Sequence, residues 1–418
     1  MKCKVKRSSF TGEISAIPSK SFLHRALIIS ALCDSPTVIS NMVNCDDVKA
    51  TMACLSKIGV GFSIIDGAVK VTPISSLPLN KIKLNCNESG STLRFMLPIL
   101  AVLGISADVD GKGELRKRPI DGILKVLSEN GIEFSSKKLP LTIGGQLNSG
   151  TYLVKDTAST QYVSGLLMAL PKLSHDSEIV CCEHKNKKGY VEITIEVLRA
   201  FGIKIIPTAT GYIVPGGQKF ISPKTYQVEG DWTLAANWLT AAALSGEVLV
   251  SGLNLSSCQG DSAIVDILKE AGVKVDIIDD KVHVCKSNLK PIEFEGDSIL
   301  DIIPVIAMAL STAKGVSIIK NVERLKCKES DRLAAIITAL TELGVKAEYK
   351  EKQLYIYGSE LKKIAEIDLP SDHRIAMALS VIGLLMDKLV FDNAESVNKS
   401  YPNFYSDYEK LGGVLICQ

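Results

Sequence analysis

Ser371-Asp372-His373-Arg374, with the apolar run 375–386 directly behind it, decides how this 418-residue chain is read. A polar or charged cluster followed by a long apolar run marks the start of a buried helix. The same pattern opens at Ser19-Lys20-Ser21, Ser89-Gly90-Ser91, Ser159-Thr160-Gln161, Asp231-Trp232-Thr233 and the segment 297–301. Behind these clusters run the apolar stretches 26–32, 95–103, 163–170, 234–244 and 302–310, so the pattern returns about every 70 residues. Helix N-termini present unpaired N–H groups and a positive dipole end. Six such ends brought together would form one anion-binding site.

A second mark has the same period. Helix-like segments end in glycine before a β-prone run at Gly59, Gly131, Gly202, Gly272, Gly344 and the pair Gly412-Gly413. Counted to Gly413, the differences in residue number are 72, 71, 70, 72 and 69. Glycine just past a helix is the expected stop signal. Each unit therefore holds two helices, with strands such as 69–73, 151–154 and 179–182 between them. Solenoid repeats run about 20–50 residues, so a longer unit is a small α/β element. Pro215-Gly216-Gly217 and the segment 219–226 interrupt the pattern between units three and four. The expected fold is α/β, with two similar lobes of three units each. Residues 19–229 form the first lobe, and 1–18 with 230–418 form the second.

Apolar residues make up 46% of the chain and charged residues 22%, which suits large packed cores. With 48 basic and 46 acidic side chains the net charge is +2, so neither nucleic acid nor an anionic membrane is an expected partner. No apolar run reaches the roughly 18 residues of a membrane span. The 11 cysteines are scattered and read as reduced cytosolic thiols, with Cys181 and Cys182 on a strand. The basic N-terminus has no apolar core of a signal peptide. The chain lacks GxxxxGK[ST] and a GxGxxG after a strand. His24, His175, His184, His283 and His373 lack metal-binding spacing, and no metal is expected.

The second helix of each unit also has a marked start. Asp46-Asp47 and Asp261-Ser262 read as ordinary caps. Elsewhere the sign is reversed: Arg116-Lys117-Arg118 before Pro119 (read as a first helical residue), the segment 326–332, and Lys399. Lys20 and Arg374 stand at starts of first helices. A cation there costs roughly 0.3–1 kcal/mol, so a bound anion is the sharper explanation and solvent screening the plainer one. Asp301 reads as either a cap or a base, and Glu329 as either a salt-bridged helix residue or an acid/base group.

The motifs Pro18-Ser-Lys-Ser-Phe-Leu-His-Arg25, Ser89-Gly-Ser-Thr-Leu-Arg94, Arg118-Pro119, Ser159-Thr-Gln161, Lys328-Glu-Ser-Asp-Arg332, Asp372-His-Arg374 and Lys399-Ser-Tyr-Pro402 resemble, in order, those of the 5-enolpyruvylshikimate-3-phosphate synthases, an enolpyruvyl transferase family. The resemblance implies transfer of enolpyruvate from phosphoenolpyruvate to shikimate 3-phosphate, with two lobes closing around the substrates. It implies that Lys20, Ser21, Arg25, Ser159, Thr160, Gln161, Asp301 and Lys328 hold shikimate 3-phosphate. It assigns phosphoenolpyruvate to Lys20, Gly90, Arg118, Gln161, Arg332, Arg374 and Lys399. Asp301, Glu329 and Lys20 become the catalytic groups, Asp301 as the base on the 5-hydroxyl. The implied enzyme is a cytoplasmic monomer without metal or organic cofactor.

Glu88, Lys187, Arg324, Thr233-Leu234 and Asn403 depart from the commonest residues of that family and bear on affinity and inhibitor response. The sister enzyme acting on UDP-N-acetylglucosamine usually carries a cysteine before an Arg-Pro, and residues 111–119 contain none. A repeat scaffold binding an anionic partner is the non-enzymatic alternative; it gives Asp301 and Glu329 no role.

Overall fold

A computed structural model describes residues 1–155, 159–181, 189–368 and 370–418. Cys182, His184 and Lys187 lie outside the described residues. The chain divides into two compact units, one made of residues 18–229 and the other of residues 1–17 with 230–418.

Six four-stranded sheets repeat one plan among the described residues. In the fifth repeat, Glu293–Glu295 runs parallel to Gly315–Lys320, which pairs antiparallel with Gln353–Gly358, which pairs antiparallel with Lys346–Lys350. Helix Ile303–Leu310 bridges the first pair, and helix Arg332–Glu342 leads back to the closing hairpin. A parallel pair requires such a crossover, whereas a hairpin needs only a turn.

Three sheets borrow a strand from elsewhere in the chain. Thr225–Gln227 opens the first sheet beside Thr37–Ser40. Thr11–Ser15 opens the fourth beside Glu247–Ser251. Cys3–Lys6 sits inside the sixth, between Lys388–Phe391 and Val414–Cys417. That last register places Cys3 opposite Cys417, with Cα atoms 4.1 Å apart, and the two are joined as a disulfide. This corrects the reading of every cysteine as a free thiol: 414 residues separate the partners, a distance only strand pairing reveals.

In the unit containing the termini, helices Trp232–Ser245, Ile303–Leu310 and His373–Gly383 pack on one another with every residue buried. Helices apolar on all sides can only be core. The central unit packs Gly90–Val102 against Gln161–Ala169 and sets Lys20–Ala31 beside them. The glycine marks end helices as expected: Gly59, Gly131, Gly202, Gly272 and Gly344 have φ between 77° and 101°. At the sixth mark Gly412 takes the left-handed conformation, at φ 96°, and not Gly413.

The second helices begin later than the sequence suggests. Short 3₁₀ turns, Gly113–Lys117, Gly260–Ala263, Glu323–Cys327 and Ala394–Lys399, precede four of them. The helix after Pro119 starts at Asp121, so Pro119 is not its first residue. Arg116, Lys117, Arg118, Lys326, Lys328 and Lys399 therefore lie at C-terminal ends of 3₁₀ turns, where exposed carbonyls favour cations. Only Lys20, Arg332 and Arg374 remain in first turns of true helices.

Candidate functional site

In the central unit, three helix starts converge on buried polar groups. Lys20 opens helix Lys20–Ala31, and its Nζ donates to Asp47 Oδ2 at 2.8 Å. Asp47 therefore serves as a counter-ion, beyond its place in an acidic first turn. Next to it, a chain of hydroxyls runs through the interior. His24 Nδ1 lies 2.7 Å from Thr51 Oγ1, Thr51 Oγ1 lies 2.7 Å from Thr92 Oγ1, and Thr92 Oγ1 donates to Ser89 Oγ at 2.7 Å. Burial pulls the His24 imidazole down to about 3, so it is neutral at physiological pH.

Arg25 is buried and donates through all three nitrogens. Its Nε reaches Thr194 Oγ1 at 2.6 Å, its Nη1 the Ser21 carbonyl at 2.8 Å, and its Nη2 both Ser164 Oγ and the Tyr190 carbonyl. The Phe95 ring covers one face of the guanidinium. This geometry makes Arg25 a brace between helices.

Gln161 begins helix Gln161–Ala169; its backbone N–H donates to Ser159 Oγ at 3.3 Å, and Thr160 precedes it without a side-chain cap. The Gln161 amide is held at both ends. Its Oε1 accepts from Arg94 Nη1 at 2.9 Å and its Nε2 donates to Ser91 Oγ at 2.8 Å. A Cβ added at Gly90 would lie 2.7 Å from Arg118 Nη1 and 2.8 Å from Arg94 Nη1, so two guanidinium groups crowd this helix start. Arg94 was passed over in the sequence because it sits inside an apolar helix. The only hint was its place at the end of the Ser89-Gly-Ser-Thr-Leu-Arg94 motif.

The other unit carries a denser cluster. Arg332 is 1% exposed and binds three carboxylates. Its Nη1 donates to Asp301 Oδ1 at 2.7 Å, its Nη2 to Glu329 Oε2 at 2.7 Å, and its Nε to Asp372 Oδ2 at 2.8 Å. Lys328 Nζ also donates to Asp301 Oδ1, at 3.2 Å. Asp372 caps helix His373–Gly383 through the Arg374 N–H at 2.9 Å and accepts from Ser330 Oγ at 3.0 Å. Asp301 is not the N-cap residue of helix Ile303–Leu310; Ile302 holds that position. Burial alone would raise the Asp301 carboxyl, but Lys328, Arg332 and Arg374 together hold it well below the usual carboxylate range. Burial pulls the Lys328 ammonium down, against the pull of Asp301.

Arg374 differs from Arg332. It is 7% exposed, and its Nε and Nη1 are buried without a hydrogen-bond partner. Buried guanidinium donors left open in this way point to an absent acceptor. Lys399 ends its 3₁₀ turn half-buried.

Two aspartates of this unit resolve differently. Asp231 caps helix Trp232–Ser245 by accepting from the Leu234 N–H at 2.9 Å, which accounts for the fourth polar cluster. Asp261, read as an ordinary cap, is buried, and Thr233 Oγ1 donates to its Oδ2. Burial, joined by the Asp301 charge, pushes Asp261 up to about 7; the Thr233 hydroxyl and Arg374 pull the other way. Asp301 and Asp261 are thus neighbouring carboxyls driven apart in acidity, a pattern that suits acid/base work.

Asp261 gives a pH prediction. Between about pH 4 and 7 the fold keeps a proton that the unfolded chain has lost, so this group lowers stability as pH rises. Asp261→Asn removes the slope. Compared with the unmodified chain, the variant should gain roughly 2–3 kcal/mol more at pH 8 than at pH 5. Denaturant unfolding at both pH values measures this, and an equal difference at the two would refute it.

The family model for EPSP synthase (3-phosphoshikimate 1-carboxyvinyltransferase) matches residues 5–408. A 3-phosphoshikimate 1-carboxyvinyltransferase of Clostridium novyi is 35% identical over 425 residues, covering 99% of this chain and 98% of that protein. One from Clostridium acetobutylicum is 38% identical over 424 residues with the same coverage. In fold, the chain is similar to an EPSP synthase structure from Acinetobacter baumannii, with TM-score 0.82 and 23% identity over the whole of both chains. It is also similar to the enolpyruvyl transferase NikO from Streptomyces tendae, with TM-score 0.79 and 17% identity over 99% of this chain and 98% of that one. The chain belongs to the EPSP synthase (3-phosphoshikimate 1-carboxyvinyltransferase) family.

Proposed function

We propose that this chain transfers the enolpyruvyl group of phosphoenolpyruvate to the 5-hydroxyl of shikimate 3-phosphate, releasing phosphate, as a step of aromatic amino acid biosynthesis. The observation that carries the reading is Arg374, whose open buried donors stand near Asp301, a carboxylate held well below its usual range by the Lys328, Arg332 and Arg374 charges. A cation with two open buried donors next to acid/base groups suits an anionic substrate that undergoes proton transfer.

In this reading Lys20, Ser21, Arg25, Ser159, Thr160, Gln161, Asp301 and Lys328 serve shikimate 3-phosphate, with Arg25 acting through the helices it braces. Lys20, Gly90, Arg118, Gln161, Arg332, Arg374 and Lys399 serve phosphoenolpyruvate. Residues 19–229 supply mainly the first set; residues 1–18 with 230–418 supply mainly the phosphoenolpyruvate clamp and the acid/base groups.

Asp301 takes the 5-hydroxyl proton as that oxygen bonds to C2 of phosphoenolpyruvate, and Glu329 or Lys20 delivers a proton to the methylene carbon. The tetrahedral adduct then loses a methyl proton, the C2–O bond to phosphate breaks, and the enol ether remains. Asp301 is a weak base while Lys328 and Arg332 both hold it. A substrate anion that draws Lys328 away would raise its basicity. The chain then works as a cytoplasmic monomer on small-molecule substrates. Among the described residues, no helix is long and apolar enough to cross a membrane.

The test is phosphate release from phosphoenolpyruvate with each of two acceptors. Release with shikimate 3-phosphate is expected; release only with UDP-N-acetylglucosamine would replace the proposal with the sister reaction. Gly90→Ala gives a finer check. Its Cβ must push aside the ends of Arg118 and Arg94, which can move, so stability should change by less than about 1 kcal/mol. The KM for phosphoenolpyruvate should rise about tenfold or more, the loss of roughly one good contact, with that for shikimate 3-phosphate little changed. An unaltered phosphoenolpyruvate KM would remove Gly90 from this role.

A further inference from the structure

The fourth sheet carries chemistry that the proposed reaction does not use. Its strands are ordered Lys274–Ile278, Lys281–Cys285, Glu247–Ser251 and Thr11–Ser15. Val248, Val250, Val275, Val282 and Val284 are buried on one face. Strand alternation sends Glu247, His283, Cys285 and Asp276 to the other face. The register sets Glu247 opposite Cys285 and Asp276 opposite His283.

Three kinds of ligand atom meet there. Glu247 Oε1 lies 2.7 Å from His283 Nε2, and Cys285 Sγ lies 3.7 Å from the same nitrogen. One donor atom from each of the three falls within 4.8 Å of the others. On the far side of the imidazole, His283 Nδ1 is buried without a hydrogen bond and faces Asp276 Oδ2 at 3.9 Å.

We propose that Glu247, His283 and Cys285 form a binding site for a zinc-class divalent ion, with Asp276 positioning the imidazole. Bond lengths of about 2.0–2.3 Å in a tetrahedral shell put neighbouring ligand atoms roughly 3.3–3.8 Å apart. The His283–Cys285 pair already has that separation. The Glu247–His283 pair opens by about half an ångström when an ion replaces the proton shared between them. Binding releases that proton and the Cys285 thiol proton, and water takes the fourth position. A mixed oxygen, nitrogen and sulfur set favours a borderline-soft ion over magnesium or calcium. On metal binding Asp276 Oδ2 would close from 3.9 Å to hydrogen-bond distance of Nδ1, holding a proton there and leaving the Nε2 lone pair for the metal, as carboxylates behind ligating histidines do. The sequence hid this site because sheet register, not sequence spacing, joins Glu247 to His283.

The experiment titrates the full chain, stripped of metal, with cobalt(II) and then zinc(II). One cobalt per chain is expected, with a thiolate-to-cobalt charge-transfer band in the near ultraviolet that zinc abolishes. Cys285→Ser should lose the band, His283→Ala should weaken binding at least tenfold, and Asp276→Ala should weaken it about 10–100-fold. Cys327→Ser, at an exposed thiol elsewhere, should change nothing. Enolpyruvyl transfer and thermal unfolding without metal should be the same in all four variants. No saturable binding, or a band that survives Cys285→Ser in a folded protein, would overturn the proposal.

Discussion

Arg332→Met is expected to abolish turnover and to cost about 3–5 kcal/mol of stability, the usual effect of breaking a buried ion pair from one side. Methionine keeps most of the side-chain volume, so a cavity is not the cause. The cause is charge. Asp301, Glu329 and Asp372 all accept from this one guanidinium. Without it, three carboxylates share a small volume, with Lys328 still donating to Asp301. Asp372 also caps helix His373–Gly383 and holds Ser330, so its displacement loosens the approach to Arg374. Lys328→Met should cost less, because Lys328 is half-buried and donates to one carboxylate. Denaturant unfolding of both variants measures the difference. An Arg332→Met protein as stable as the parent would mean that the cluster is not electrostatically coupled.

Arg374→Gln is expected to behave in the opposite way. Its Nε and Nη1 have no hydrogen-bond partner, and leaving such donors buried costs the fold about 1–3 kcal/mol. Against that stands its attraction to Asp301 and Asp261. The two effects nearly cancel, so stability should stay within about 1 kcal/mol of the parent. Phosphoenolpyruvate affinity should fall at least 100-fold, because two charge-assisted hydrogen bonds at about 1.5–3 kcal/mol each are lost. Calorimetric titration with phosphoenolpyruvate, paired with unfolding, checks both halves. Lost stability with unchanged affinity would reassign Arg374 to a purely structural role. Together the two arginines separate a cation that organises the cluster from one that waits for a ligand.

Much of the architecture was legible in the chain because its marks are local. A left-handed glycine ends a helix through its own backbone, so the spacing of Gly59, Gly131, Gly202, Gly272 and Gly344 could be read directly. At Gly412-Gly413 two candidates stood side by side, and only the backbone chose between them. The 3₁₀ turns were hidden for a related reason. Over five residues such as Glu323–Cys327, periods of 3.0 and 3.6 cannot be told apart. The sign argument about helix starts therefore misplaced Arg118, Lys328 and Lys399, while Lys20, Arg332 and Arg374 kept their positions. Asp301 could not be separated from a cap because its cations come from Lys328 and Arg332, after a whole helix and strand. Asp261 looked like any first-turn aspartate until Thr233, Asp301 and Arg374 were seen around it. Arg94 was masked by its apolar neighbours.

The strand Cys3–Lys6 pairs with Lys388–Phe391 and Val414–Cys417, which sets a timetable for making this protein. Cys3 is made 414 residues before Cys417, which lies in its last partner strand. At about 5–20 residues per second, that strand waits roughly 20–80 s for its neighbours. All strands of the three sheets in residues 18–229 have been synthesised long before then. The nascent chain thus completes its middle first, and the sheet containing Cys3 can close only after Val414–Cys417 has been made.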